Sequence, residues 1–122
     1  MNFFQRRNKL KNANYLDLTP IRLESEEIDE NNIVIILVPR FKNNFAKKYI
    51  IPKLKSSHIK LKLDAIGSVV WLSIDGKKKV REMLPELVNK FNDDNESMEK
   101  RLTKFLTLLY DYKLITFEEI NC

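Results

Sequence analysis

A chain of 122 residues with 43% hydrophobic residues, 32% charged residues and a formal net charge of +5 is enough for one domain with a core of its own. Its longest unbroken apolar run, the six residues IVIILV at 33–38, is far too short for a membrane-crossing helix. The lone cysteine, Cys122, has no partner within the chain and fits a reducing, cytoplasmic setting.

Charge is segregated along the chain. ESEEIDE at 24–30 carries five acids, whereas Asn31 to Leu63 holds no acid and eight bases: Arg40, Lys42, Lys47, Lys48, Lys53, Lys55, Lys60 and Lys62. A second basic cluster is Lys77, Lys78, Lys79 and Arg81. Such segregation predicts a positive surface for an acidic partner, peptide or nucleic acid.

In chain order, residues 1–20 read as a basic N-terminal arm rather than an export signal, because no apolar stretch follows the arginines. Residues 21–28 begin with apolar–polar alternation and read as a half-exposed strand. DENN at 29–32 is turn chemistry, and IVIILV is a β-branched run expected to be buried on both faces and stopped by Pro39. The two form a β-hairpin. Residues 39–57 form a basic insertion, within which Phe41, Phe45 and Tyr49 at i, i+4, i+8 predict a short amphipathic helix over 41–51. HIKLKLD at 58–64 alternates cleanly, with Ile59, Leu61 and Leu63 on one face and His58, Lys60 and Lys62 on the other.

Three helices follow. The first runs from about Ala65 to Ile74, with Asp64 as its cap and only Asp64, Ser68 and Asp75 on a polar stripe. Its interior Gly67 costs such a helix about 1 kcal/mol relative to alanine, so a bulky ring or another backbone is expected close by. Gly76 stops it. Val80, Met83, Leu84, Leu87, Val88 and Phe91 mark the second helix, with Pro85 on its solvent side. Met98, Leu102, Phe105, Leu106 and Leu109 mark the third, with Asp93 and Glu96 as a candidate capping pair. KLITF at 113–117 reads as a terminal strand or wing, and residues 118–122 as a tail.

Catalytic chemistry is not indicated. His58 stands alone on the lysine face of a strand, so no metal cluster is available. The two glycines make no phosphate loop, the single cysteine cannot hold an iron–sulfur cluster, and Asp64 and Asp75 sit at helix ends where capping explains them. No cofactor is expected.

The stretch LDAIGSVVWLSIDGKKKV at 63–80 resembles the signature of the PqqD family, in which a strand ends in Leu-(Asp or Asn) and runs into a helix closing with Asp-Gly. The matching positions are Leu63, Asp64, Ile66, Gly67, Val70, Trp71, Ile74, Asp75, Gly76 and Val80, and the resemblance extends over roughly residues 20–117. It implies an α+β, winged helix-turn-helix-like domain over residues 21–117: a small antiparallel β-sheet followed by three helices. It also implies a non-enzymatic adaptor that binds the leader of a ribosomally made precursor peptide and hands it to a modifying enzyme, in the family's name case a radical SAM enzyme. By that resemblance the leader adds as a strand to the third strand and packs on the third helix. Ile59, Lys60, Leu61 and Lys62 would then meet an acidic leader, with Leu102, Phe105, Leu106 and Leu109 as the groove floor. A homodimer stays open, and pyrroloquinoline quinone synthesis itself does not follow.

The rival is a winged-helix DNA-binding regulator. A recognition helix leads into the major groove with its N-terminal end, and here that end carries Asp93, Asp94, Glu96 and Glu99, which weighs against nucleic acid as a partner.

Overall fold

The structure, a computed structural model, describes Gln5 and residues 14–39 and 58–120. The helix expected over 41–51, nearly all of the insertion, most of the N-terminal arm and Cys122 lie outside those residues. The architecture is α+β, a small antiparallel sheet followed by three helices. A 3-10 turn, Tyr15–Asp17, precedes strands β1 (Pro20–Arg22), β2 (Ser25–Ile28), β3 (Val34–Pro39) and β4 (His58–Lys62). Helices α1 (Ala65–Ser73), α2 (Val80–Phe91) and α3 (Asn95–Asp111) and strand β5 (Ile115–Phe117) complete the chain. Strands β2, β3 and β4 form one antiparallel sheet in that order, and β1 and β5 form a separate antiparallel pair.

The expected hairpin is β2 and β3, but the strand read over 21–28 is two strands serving two sheets. Its first part pairs with the C-terminal β5, Ile21 opposite Thr116. The turn is built by Asp29, whose Oδ1 accepts the amides of Asn31 at 2.8 Å and Ile33 at 3.0 Å, while Asn32 takes the left-handed φ of 62°. Asparagine tolerates that conformation better than most residues. β3 is not buried on both faces as its composition suggests. Val34 and Ile36 are buried, and Ile35 and Leu37 lie half-exposed on the other side. A sheet covered by helices on one face only leaves its second face to solvent.

α1 behaves as the core of the molecule. Val70, Trp71 and Ile74 are fully enclosed. Ser68, expected on a polar stripe, is buried too, and its Oγ accepts the Val34 amide at 2.9 Å. The buried indole of Trp71 donates from Nε1 to Glu26 Oε1 at 2.9 Å. Arg22 Nη1 donates to the same oxygen at 2.8 Å, and its guanidinium lies 5.9 Å from the indole centroid. Each polar group that α1 takes inside thus meets a partner on the sheet. After Ser73, Asp75 Oδ1 accepts the amides of Lys77 and Lys78, each at 2.8 Å, and Gly76 turns the chain at φ +79°.

α2 and α3 close the core with the stripes expected of them. Val80, Met83, Leu84 and Leu87 are buried, and so are Met98, Leu102, Leu106 and Leu109. Pro85 faces solvent within an uninterrupted α2. Lys79, at the α2 cap, has no side-chain oxygen to offer; instead Glu82 Oε1 accepts the Lys79 amide at 3.2 Å. The α3 cap is Asp94, one residue later than the pairing of Asp93 with Glu96 suggests. Its Oδ1 takes the Ser97 amide at 2.6 Å, and Asp93 Oδ1 accepts the amide of Asp94.

The packed region reaches beyond both ends of residues 21–117. Leu18 is buried, its carbonyl accepts the Val80 amide at 2.9 Å, and Glu119 accepts both the amide and the hydroxyl of Thr19.

Two outcomes test this account. Ser68→Ala removes the acceptor of a buried amide, so it should lower unfolding free energy by about 1–3 kcal/mol in urea titration. Asp29 has its pKa held below the ordinary carboxylate value, first by the Ile33 amide, then by that of Asn31 and by the charge of Lys62. A depressed folded-state value means stabilisation that is present above the unfolded pKa and lost as pH falls through the folded one. Asp29→Ala should therefore melt below the parent at neutral pH, and the gap should narrow as pH falls below the ordinary carboxylate range.

Candidate functional site

The site is assembled from β4, the start of α1 and one face of α3. β4 pairs with β3 on one side, and among the described residues no strand lies on its other side. The Leu63 amide donates to the Val34 carbonyl at 2.9 Å. Antiparallel pairs alternate between hydrogen-bonded and non-hydrogen-bonded, so Leu61 opposite Ile36 and Ile59 opposite Val38 are the bonded pairs. Lys60 and Lys62 therefore turn their main-chain N–H and C=O toward the outer edge. These are the groups an incoming strand pairs with.

The side chains divide the other way. Ile59 and Leu61 share the core-facing side with buried Ile36, yet at the edge they remain 49% and 41% exposed. Lys60 and Lys62 stand on the opposite face. There they meet the acidic strand β2 and its turn, Lys60 Nζ at 3.5 Å from Glu27 and Lys62 Nζ at 4.0 Å from Asp29. Such exposed pairs are weak, but they partly neutralise the positive face that charge segregation predicts.

Where β4 ends, a cleft of about 370 Å³ opens between the first turn of α1 and α3, lined by Asp64, Ile66, Gly67, Arg101, Lys104, Phe105 and Leu108. Gly67 explains its shape. Asp64 Oδ1 accepts the Gly67 amide at 2.7 Å as the N-cap of α1. A Cβ on Gly67 would lie 3.0 Å from that oxygen and 3.2 Å from Phe105 Cζ. The helix carries a glycine because the ring of α3 and the capping carboxylate converge there.

Of the groove floor expected on α3, only Phe105 reaches the cleft. Leu102, Leu106 and Leu109 are buried in the core and present no surface. The cleft face of α3 is one step round the helix, at Arg101, Lys104, Phe105 and Leu108, with Leu108 50% exposed. Their i, i+3, i+4, i+7 spacing was available in the sequence, but a mixed charged and apolar face reads as solvent beside a cleaner apolar stripe. No described helix is long and apolar enough to cross a membrane, and no group of His, Cys, Asp and Glu among the described residues is arranged to hold a metal ion.

One variant tests the glycine. Gly67→Ala carries a helix-propensity gain of about 1 kcal/mol, but the new methyl must displace the Phe105 ring or the Asp64 cap. The denaturation midpoint should not rise, and the Phe105 ring resonances should move. A rise matching the full propensity gain would mean that ring and cap give way freely.

The family model described as coenzyme PQQ synthesis protein D (PqqD) matches residues 54–115, slightly more than half of the chain. The match spans β4, all three helices and the first residue of β5. No curated protein and no solved structure matches.

Proposed function

The chain belongs to the PqqD family, and from that premise we propose that it is a non-catalytic adaptor that binds the leader of a ribosomally made precursor peptide and presents it to a modifying enzyme, of radical SAM type in the family's name case. The leader adds as a strand to the outer edge of β4. One observation carries this reading: β4 has β3 on one side and, among the described residues, no strand on the other, with two half-exposed apolar side chains beside that edge. Main-chain hydrogen bonds give such binding its affinity and side-chain pockets its selectivity. Lys60 and Lys62 contribute their backbone groups to this site, while their ammonium groups lie on the far face beside Glu27 and Asp29.

For DNA binding no specific observation speaks. The N-terminal end of α3, which a recognition helix would present, is the acidic end, with Asp94 engaged as the cap.

The geometry supplies a sharp test. Proline at position 62 deletes an outward amide and spares the ladder to β3, because a proline on an edge strand is tolerated when its nitrogen faces out. Peptides enriched on the full chain from a random-peptide display library should bind Lys62→Pro at least about tenfold more weakly, roughly the value of one or two hydrogen bonds. Lys62→Ala, which keeps the amide, should bind them as the parent does, and the thermal transition of Lys62→Pro should stay close to that of the alanine variant. Equal affinity for the two variants would remove strand addition as the mode of binding.

A further inference from the structure

Two cations border the cleft without an ion-pair partner among the described residues, as Lys77, Lys79 and Lys90 lack one elsewhere on the fold. Arg22, Lys60, Lys62, Lys78, Arg81 and Lys100 each have a carboxylate partner, in Glu26, Glu27, Asp29, Glu86, Asp17 and Glu96. Arg101 and Lys104 have none among the described residues. Both border the same cleft, over a floor made of Ile66, Phe105 and Leu108. Its one carboxylate, Asp64, is engaged through Oδ1 with the Gly67 amide. An apolar hollow bordered by two cations and a single carboxylate keeps an excess of positive charge, the chemistry for an apolar side chain with a carboxylate close by.

Position ties the hollow to the edge strand. Leu63, the next residue in the alternation after Ile59 and Leu61, lies against the cleft floor, its Cβ 3.4 Å from where a Gly67 Cβ would stand. Side chains on one face of an added strand follow the same alternation, so those on the side of Ile59 and Leu61 run toward Phe105. Further toward the N-terminus of α3 the surface is mixed, with Glu96 and Glu99 beside Lys100 and Lys104.

Resting on the peptide-binding reading above, we propose that this cleft is the selectivity pocket of the site. It takes one large apolar side chain of the bound peptide, and Arg101 and Lys104 select an acidic residue within two positions of it. Preference for acid comes from α3; the lysines of β4, already beside Glu27 and Asp29, do not supply it.

The test pans one random-peptide display library on the full chain, on Arg101→Glu with Lys104→Glu, and on Lys60→Glu with Lys62→Glu. All four positions are exposed, so both double variants should keep the parental thermal transition. The parent should enrich peptides with Asp or Glu within two residues of Leu, Ile, Phe or Met. A synthetic peptide from that pool should bind the parent at least about tenfold more tightly than its Asn or Gln counterpart, the value expected of a good charge-assisted contact. On Arg101→Glu/Lys104→Glu that ratio should collapse to near one, and its pool should lose the acidic residue while keeping the apolar one. Added salt should shrink the parental ratio. An acid preference that survives in this variant, or that vanishes instead in Lys60→Glu/Lys62→Glu, overturns the pocket and leaves strand addition standing. A parental pool without acidic enrichment overturns it likewise. Peptides bound equally by Lys62→Pro and Lys62→Ala overturn the strand-addition reading, and the pocket with it; a library that yields no binder does the same.

Discussion

The docking of α1 onto the sheet governs everything downstream of it. A nine-residue helix with a tryptophan, a serine and a glycine on its buried sides is stable only if its polar atoms find partners inside. The Val34 amide bonds Ser68 Oγ and the Trp71 indole bonds Glu26. The first of these bonds also marks where the β3–β4 ladder ends. Val34 spends its N–H on the helix rather than on the continuation of β4, and the chain leaves the sheet at Leu63 to be capped at Asp64. Edge strand, cap and helix are therefore one mechanical unit.

Gly67 extends that unit to α3. A missing Cβ is usually a local weakness in a helix, yet here it lets Phe105 lie against the α1 backbone beside the carboxylate that caps it. The cleft is what remains next to that contact. Its floor includes the Phe105 ring, which packs against the core to which Leu102, Leu106 and Leu109 belong.

Much of this was legible in the sequence, for identifiable reasons. The stripes of α2 and α3 obey the helical period because both helices bury one face only, and HIKLKLD alternates because β4 has two unlike faces. The glycine with a ring beside it follows from the cost of glycine in an apolar helix. The misreadings have physical causes too. Ser68 reads as polar and therefore as solvent-facing, whereas the fold needs it inside as the acceptor of the Val34 amide. Residues 21–28 look like one strand although Leu23 and Glu24 redirect the chain from one sheet to another. Apolar spacing on α3 marks the core, and the cleft-facing side is the mixed row beside it, which periodicity alone cannot tell from solvent.

Charge shows most clearly why position in the fold outweighs position in the chain. Along the sequence, five acids precede a long stretch containing only bases, and Lys60 and Lys62 look like the start of a positive surface. Folding lays the acidic strand two places from the basic one, across the apolar β3, and brings Glu27 and Asp29 to those lysines. Exposed pairs of this kind add little stability. What they do is spend the lysines' charge on the outer face while the backbone of the same residues stays open at the edge. Arg101 and Lys104, inconspicuous in a helix with as many acids as bases in its first half, end with no ion-pair partner among the described residues and border an apolar hollow. The charge on those two side chains is left unpaired among the described residues, and it borders the cleft that opens where β4 ends.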